Sequence, residues 1–270
     1  MSAASFPILP ADWEPTRATL HAYANGVSVI PRAHAVASDR WYHISLKPVP
    51  DGLVTASMGL PGGGSFHIRM DFARHAAVIE TDTAEVEAVS MSAGLTATEF
   101  GDALIAVVAS LGLEGDYVRQ KFESDEPRDY DPAAASTFFA ALGAIADTFE
   151  QYRSSLEGDV GPLQLWPHGF DLAFEWYGTR IETYGDEEHP SQLNLGWYPA
   201  GDAYFYSNPW PFDAEALTQA PLPHGAVWHT EGWEGTMLGY SELAGEADAA
   251  QKLLDFARAV HDVAAPTLMA

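Results

Sequence analysis

Histidine, carboxylate and tryptophan keep company in the second half of this 270-residue sequence. Trp166-Pro167-His168-Gly169-Phe170-Asp171 sets an imidazole two residues from an indole and three from a carboxylate. Histidine titrates near neutrality, and a partly dry aromatic wall tunes it. His168 is therefore the general acid or base this pattern would supply, with Asp171 orienting it. Trp228-His229-Thr230-Glu231-Gly232-Trp233 repeats the theme: extended backbone places His229 and Glu231 on one side and Trp228 on the other. Between these motifs lie Gly196-Trp197-Tyr198-Pro199 and Tyr204-Phe205-Tyr206-Ser207-Asn208-Pro209-Trp210-Pro211. Rigid rings framed by Gly and Pro bind sugars, planar ligands or cations at low entropic cost. The ligand-binding set is then Trp166, Trp197, Tyr206, Trp210, Trp228, Trp233 and His229. A structural reading competes: strand-end histidines cap turns, and most aromatic rings fill cores.

Other chemistries find less support. The ten histidines include no H-x-H and no H-E-x-x-H pair, so a metal would need His21, His43 and His168 to converge from distant positions. The absence of cysteine excludes disulfides, zinc–thiolate sites, iron–sulfur clusters and thiol catalysis. Gly185-Asp186-Glu187-Glu188-His189 reads as a solvated acidic loop, and Pro61-Gly62-Gly63-Gly64-Ser65 as a hairpin turn without the lysine of a phosphate loop. No G-x-G-x-x-G follows a strand, and there is no G-x-S-x-G elbow. Nothing here names a cofactor.

The elements that must carry these residues are legible from periodicity. A helix is predicted from Asp12, as N-cap, to about residue 35, ended by Pro31. Short β-rich runs follow: Trp41–Val49, Leu53–Met58, Ser65–Phe72, Ala77–Thr81 and Glu85–Met91. Thr96-x-x-Glu99 is a capping box opening a helix, and a strand is expected at Asp116–Phe122. Ser124–Asp131 is acidic and turn-rich, a boundary between halves 1–128 and 129–270 of a single co-folding unit. Phe138, Leu142, Ile145, Phe149, Tyr152 and Leu156 mark the buried stripe of the strongest helix, which Gly158 ends. In the following strand Phe170, Leu172, Phe174 and Trp176 share one face, and Asp171, Ala173 and Glu175 the other. A last helix, about 246–264, buries Leu253, Leu254, Ala257 and Val260 before Pro266. Strands run in meanders instead of alternating with helices, so the fold class is α+β with antiparallel sheets and packed amphipathic helices, in two similarly ordered halves.

Composition narrows the partners. The 38 acidic against 13 basic residues give a net charge of −25, a field that repels nucleic acid and anionic membranes. The longest apolar run, Ala103–Leu113, falls short of the ~20 residues of a membrane span. With no basic region followed by an apolar stretch at the N-terminus, a soluble cytoplasmic protein is expected.

Several motifs together resemble a bacterial domain-of-unknown-function family. They are Trp13-Glu14-x-Thr16-Arg17-x-Thr19-Leu20-His21, Trp41-Tyr42-His43-Ile44-x-Leu46 with Gly52-Leu53-x-Thr55, and Trp166-Pro167-His168-x-Phe170-Asp171-Leu172-Ala173. Gly196-Trp197-x-Pro199-x-Gly201-Asp202, Tyr204-x-Tyr206 with Pro209-Trp210-Pro211, and Trp228-x-x-x-Gly232-Trp233 complete the set. The resemblance spans about residues 11–264 and implies one co-evolved unit, with no activity attached. It directs attention to His21, His43, His168 and Asp171. Ala22-Tyr23-Ala24-Asn25-Gly26 departs from the more hydrophobic helix expected after His21. The leading expectation is a small-molecule pocket walled by the aromatic motifs, with His168 as acid or base in an enzyme. One alternative is a non-catalytic module binding a protein partner or closing a homodimer; a mononuclear metal protein is the third.

Overall fold

The computed structural model describes residues 5–270. Among the described residues five α-helices accompany two antiparallel sheets, of six and eight strands, so the chain is α+β. It divides into two compact units. One comprises Leu9–Phe139 with Gln164–Phe170; the other comprises the segment ending at Ile8, Ala140–Leu163 and Asp171–Ala270.

In the first of these, α1 (Glu14–His34) begins without a side-chain cap at Trp13, and Pro15 occupies its first turn. Asp12 is therefore not the N-cap. Pro31 does not stop the helix, which runs three residues further, and the Ala35 N–H donates to Pro31 O at 2.9 Å. A proline removes one i→i−4 bond, a loss this helix tolerates close to its end. The departure at residues 22–26 has a packing cause. Tyr23, Ala24 and Gly26 are buried where α2 (Ala97–Ser110) crosses, and a Cβ on Gly26 would sit 3.6 Å from Gly101 Cα. Small residues permit this close crossing, while the Tyr23 ring stacks on Phe100 at 3.9 Å. α2 opens on the expected box: the Glu99 N–H donates to Thr96 Oγ1, and the Thr96 N–H to the Glu99 carboxylate.

Between the two helices lies the first sheet. Its strands are β1 (Lys47–Val49), β2 (Gly52–Val54), β3 (Met58–Gly59), β4 (Ser65–Asp71), β5 (Ala76–Thr81) and β6 (Glu85–Ser90), ordered β1-β2-β4-β5-β6 with β3 against β4. Alternation places Phe66, Ile68 and Met70 of β4 in the core. Three expected strands are shorter, split or absent; the run Leu53–Met58 is divided between Gly52–Val54 and Met58–Gly59. Tyr42–Ile44 is a 3₁₀ turn, so only Lys47–Val49 of the run from Trp41 is extended, and 116–122 holds a 3₁₀ turn at Arg119–Lys121. In both stretches β-branched and aromatic composition yields to local turn hydrogen bonds.

α3 (Pro132–Arg153) is the long apolar helix. Its length and composition would suit a membrane span, yet Phe138, Leu142, Ile145 and Phe149 are fully buried. It ends before Gly158, whose positive φ serves the turn into β7 (Asp159–Val160).

β8 (Gln164–Trp166), β9 (Asp171–Tyr184), β10 (Glu187–Tyr198), β11 (Tyr204–Ser207), β12 (Pro209–Trp210), β13 (Val227–His229) and β14 (Gly235–Gly239) complete the second sheet, with the short helix α4 (Ala214–Leu217) between β12 and β13. Its main path is β13-β14-β11-β10-β9-β7, with β12 beside β10. Leu172, Phe174 and Trp176 of β9, Leu193, Leu195 and Trp197 of β10, Phe205 of β11 and Leu238 of β14 are buried on one face. Phe149 of α3 meets Phe174 and Phe205 edge-on. α5 (Ala249–Ala264) adds Leu253, Leu254, Ala257 and Val260 as expected. The opposite face of β9, β10, β11 and β14 carries Asp171, Glu175, Asn194, Gly196, Tyr198, Tyr204, Tyr206 and Met237, all but Gly196 partly exposed.

Candidate functional site

The sequence-predicted residues separate into two places, one in each unit. In the unit of residues 9–139 and 164–170, the Trp166–Phe170 motif is a closed turn. The Phe170 N–H donates to Trp166 O at 2.7 Å, and Phe170 takes a positive φ of 57° instead of the extended backbone expected. His21, from α1, fastens it: its Nε2–H donates to the His168 carbonyl at 3.2 Å, and its ring stacks on Phe170 at 5.7 Å. Arg17 lies 3.4 Å from the other ring nitrogen. Burial and then Arg17 lower the His21 pKa, so the imidazole is neutral at pH 7 and both of its nitrogens are engaged.

The motif around His21 is a packing hub. The Thr19 hydroxyl donates to Asp129 O, the Asp131 N–H donates to Thr16 Oγ1, and Trp13 stacks on Phe138, which stacks on Phe170. His43 is also engaged, its Nδ1 accepting the Ser38 N–H at 3.2 Å and its ring stacking on Trp41. His168 is exposed, with its ring edge-on to the partly exposed Trp166. Of the three histidines considered for a metal, His21 thus meets the backbone of His168, not its ring. Among the described residues no three His, Asp or Glu side chains are arranged to hold a metal ion.

The second place is the open face of the second sheet. Tyr206 on β11 pairs with Gly196 on β10, which pairs with Ala173 on β9. Tyr206 lies flat across Gly196, where a Cβ would fall 2.2 Å from its ring, and its hydroxyl donates to Asp171 on the far strand. Burial, followed by the Asp171 charge, pushes the Tyr206 hydroxyl well above its ordinary pKa, so it remains a donor at any physiological pH. Beside it the rings continue: Tyr206 to Tyr204 at 6.2 Å, Tyr204 parallel to Trp233 at 6.2 Å, and Trp233 to His229 at 4.4 Å. Tyr198 joins Tyr204 at 5.4 Å. All of these rings are partly exposed. They form a continuous platform with the Asp171–Tyr206 pair at one end.

The remaining predicted residues have other surroundings. Trp197 is fully buried against Tyr240. Trp228 turns to the covered side, its Nε1–H donating to Ala220 O and its ring meeting Phe212. Trp210, partly exposed, pairs with Gln192 and meets His189 edge-on. His168 and Asp171, three residues apart, fall in different units. Sequence reasoning missed Tyr198, Tyr204 and Gly196 as members of the platform, although strict alternation with Tyr206 was the signal that could have found them.

Neither the curated proteins nor the solved structures contain a significant match to this chain. The profile of one family, described only as being of unknown function, covers residues 6–269, nearly the whole sequence and all the motifs above. The chain belongs to that family, DUF5996.

Proposed function

We propose that the protein binds a small polar ring compound, with a monosaccharide as the type, on the aromatic platform of the second sheet. One observation carries this reading: Tyr206 is laid across a glycine to present its hydroxyl to Asp171 at the end of a run of partly exposed rings. A sugar offers C–H faces to Tyr204 and Trp233, and hydroxyl pairs to a carboxylate and a phenol. Leaving large apolar rings wet costs about 25 cal/mol per Å², a cost that an occupant covering them removes. The function is recognition, with Asp171 and Tyr206 fixing orientation and the rings supplying area.

Acrylamide quenching of tryptophan fluorescence, with and without a panel of monosaccharides, tests the proposal. Trp233→Phe identifies the contribution of the platform. A monosaccharide should protect a fraction of the emission that is missing in Trp233→Phe, and Tyr206→Phe should abolish the protection. Failure of every panel member to protect Trp233 overturns the ligand class. Protection that grows with protein concentration alone would assign the face to a homodimer.

A further inference from the structure

A second recess in the same unit lies on the helix-covered side of the sheet, away from the platform. It has a volume of about 710 Å³, within the range of small-molecule sites. Its apolar walls are Tyr152 and Leu156 at the end of α3, Trp176 on β9 and Met269 near the C-terminus. The polar tips of the two large rings are already used: the Trp176 Nε1–H donates to Glu157 O at 2.9 Å, and the Tyr152 hydroxyl donates to Ala257 O at 3.2 Å. The rings therefore offer the cavity their faces and edges only. His261 of α5 differs. Its ring stands edge-on to Trp176 at 5.1 Å, and its Nε2 is buried with no hydrogen-bond partner. An inner recess of about 10 Å³ shares Tyr152, Leu156, Trp176 and His261 with the larger cavity, so the His261 side chain borders both spaces. A buried polar nitrogen without a partner is destabilising, and a bound donor would relieve that cost.

We infer that this cavity is a binding site for an organic ammonium ion with an apolar body, held by the unpaired nitrogen of His261 and the ring of Trp176. Burial lowers the His261 pKa, so at pH 7 the imidazole is neutral and can accept an N–H. Charge at the rim has the matching sign: Glu157, Asp159 and Asp262 line the cavity against one base, Arg258, which lies 3.8 Å from Asp255. Aromatic walls favour a cation over a neutral body of the same shape, and the chain's net charge of −25 raises the local concentration of cations.

The test is calorimetric titration of the full chain with three probes of similar size: phenethylammonium, 2-phenylethanol and 3-phenylpropionate. Phenethylammonium should bind, the alcohol more weakly and the carboxylate not at all. His261→Leu should raise the ammonium Kd about tenfold, and His261→Gln, which keeps an acceptor, should raise it less. Circular dichroism verifies that each variant is folded. Should His261→Leu not fold, Asp262→Asn at the exposed rim provides the comparison, with a Kd raised about two- to threefold. Tyr206→Phe should leave this binding unchanged, which separates the site from the platform. No binding of phenethylammonium by the folded wild type at millimolar concentration overturns the inference. Equal affinity for all three probes, or an unchanged Kd in His261→Leu, does the same.

Discussion

Two of the places where a histidine stands beside a tryptophan use the pair in opposite ways. At Trp166–His168 the motif is consumed by structure: its backbone closes a turn, and His21 arrives from α1 to hold that turn and stack on Phe170. At His229–Trp233 the two rings extend a row that runs through Tyr204 to Tyr206 and stays partly open to solvent. The motifs look alike as strings. The difference arises from what comes to meet them. A helix with a neutral histidine reaches the first, whereas the second lies on a sheet face whose neighbours are a glycine, three tyrosines and a carboxylate. A histidine–tryptophan pair thus acquires its meaning from what meets its backbone, a closed turn held by a helix or an open sheet face.

The comparison is broken most severely by truncation. A fragment of residues 1–128 lacks Phe138, which bridges Trp13 and Phe170, and lacks the turn that His21 holds. It should be aggregating or molten, seen as lost near-ultraviolet dichroism and dye binding; a cooperative melt would show that the hub is dispensable. Next in size is Gly196→Ala, whose Cβ would fall 2.2 Å from the Tyr206 ring. The variant should lose about 2 kcal/mol, roughly 4–8 °C in Tm by calorimetry. In a Tyr206→Ala background the same substitution should cost almost nothing, a coupling that appears only if the ring lies over the glycine.

His21→Ala sharpens the other side of the contrast. It removes the bond to His168 and the stack on Phe170, so it should cost about 2 kcal/mol while leaving platform binding intact. Its effect depends on pH with a definite sign. Burial lowers the folded pKa of His21, so its contribution is complete above the unfolded value of about 6.5 and is lost as pH falls through the folded pKa. His34, His43 and His261 are lowered by burial as well. Stability should decline below pH 6.5 in the wild type, and the slope between pH 6.5 and 5 should be shallower in His21→Ala. An unchanged slope would remove His21 from the account. The smallest effect on the fold belongs to Tyr206→Phe, at most about 1 kcal/mol in chemical denaturation, with platform binding lost. Full binding in that variant would leave the Asp171–Tyr206 pair without a role in recognition.

Much of this architecture was legible in the sequence. The capping box at Thr96, the stripe of α3 from Phe138 to Tyr152 and the inward set Leu172, Phe174 and Trp176 of β9 follow from local periodicity and are found as expected, whereas Leu156 lies beyond the helix and Ala173 is buried. The misreadings cluster where local composition meets a distant constraint. Pro31 suggested a helix end, but one missing bond near a helix terminus is bearable. Residues 22–26 looked less hydrophobic than the helix expected there, yet Ala24 and Gly26 are small because α2 crosses them. The sites follow the same rule. Alternation could reveal that Asp171 and Tyr206 each point away from the core. No local pattern could reveal that the Tyr206 ring spans a strand to reach Asp171, because that depends on cross-strand register. Nor could spacing show that His21 and His168, 147 positions apart, would meet. His261 carried no motif at all, and only the packing of α5 against Trp176 marks it.

The inclusion of residues 164–170 in the same unit as 9–139 has a consequence for the order of events during synthesis. At about 5–20 residues per second the ribosome delivers residue 139 about 2–6 s ahead of residue 170. Through that interval His21 faces no carbonyl and Phe138 lacks one of its stacking partners. The N-terminal unit should therefore pass through a nascent stage in which its sheet and helices exist but its last turn does not. Native closure then waits for a segment encoded beyond the helix that leaves the unit, and a pause placed between codons 140 and 165 would lengthen the exposure of that unfinished surface.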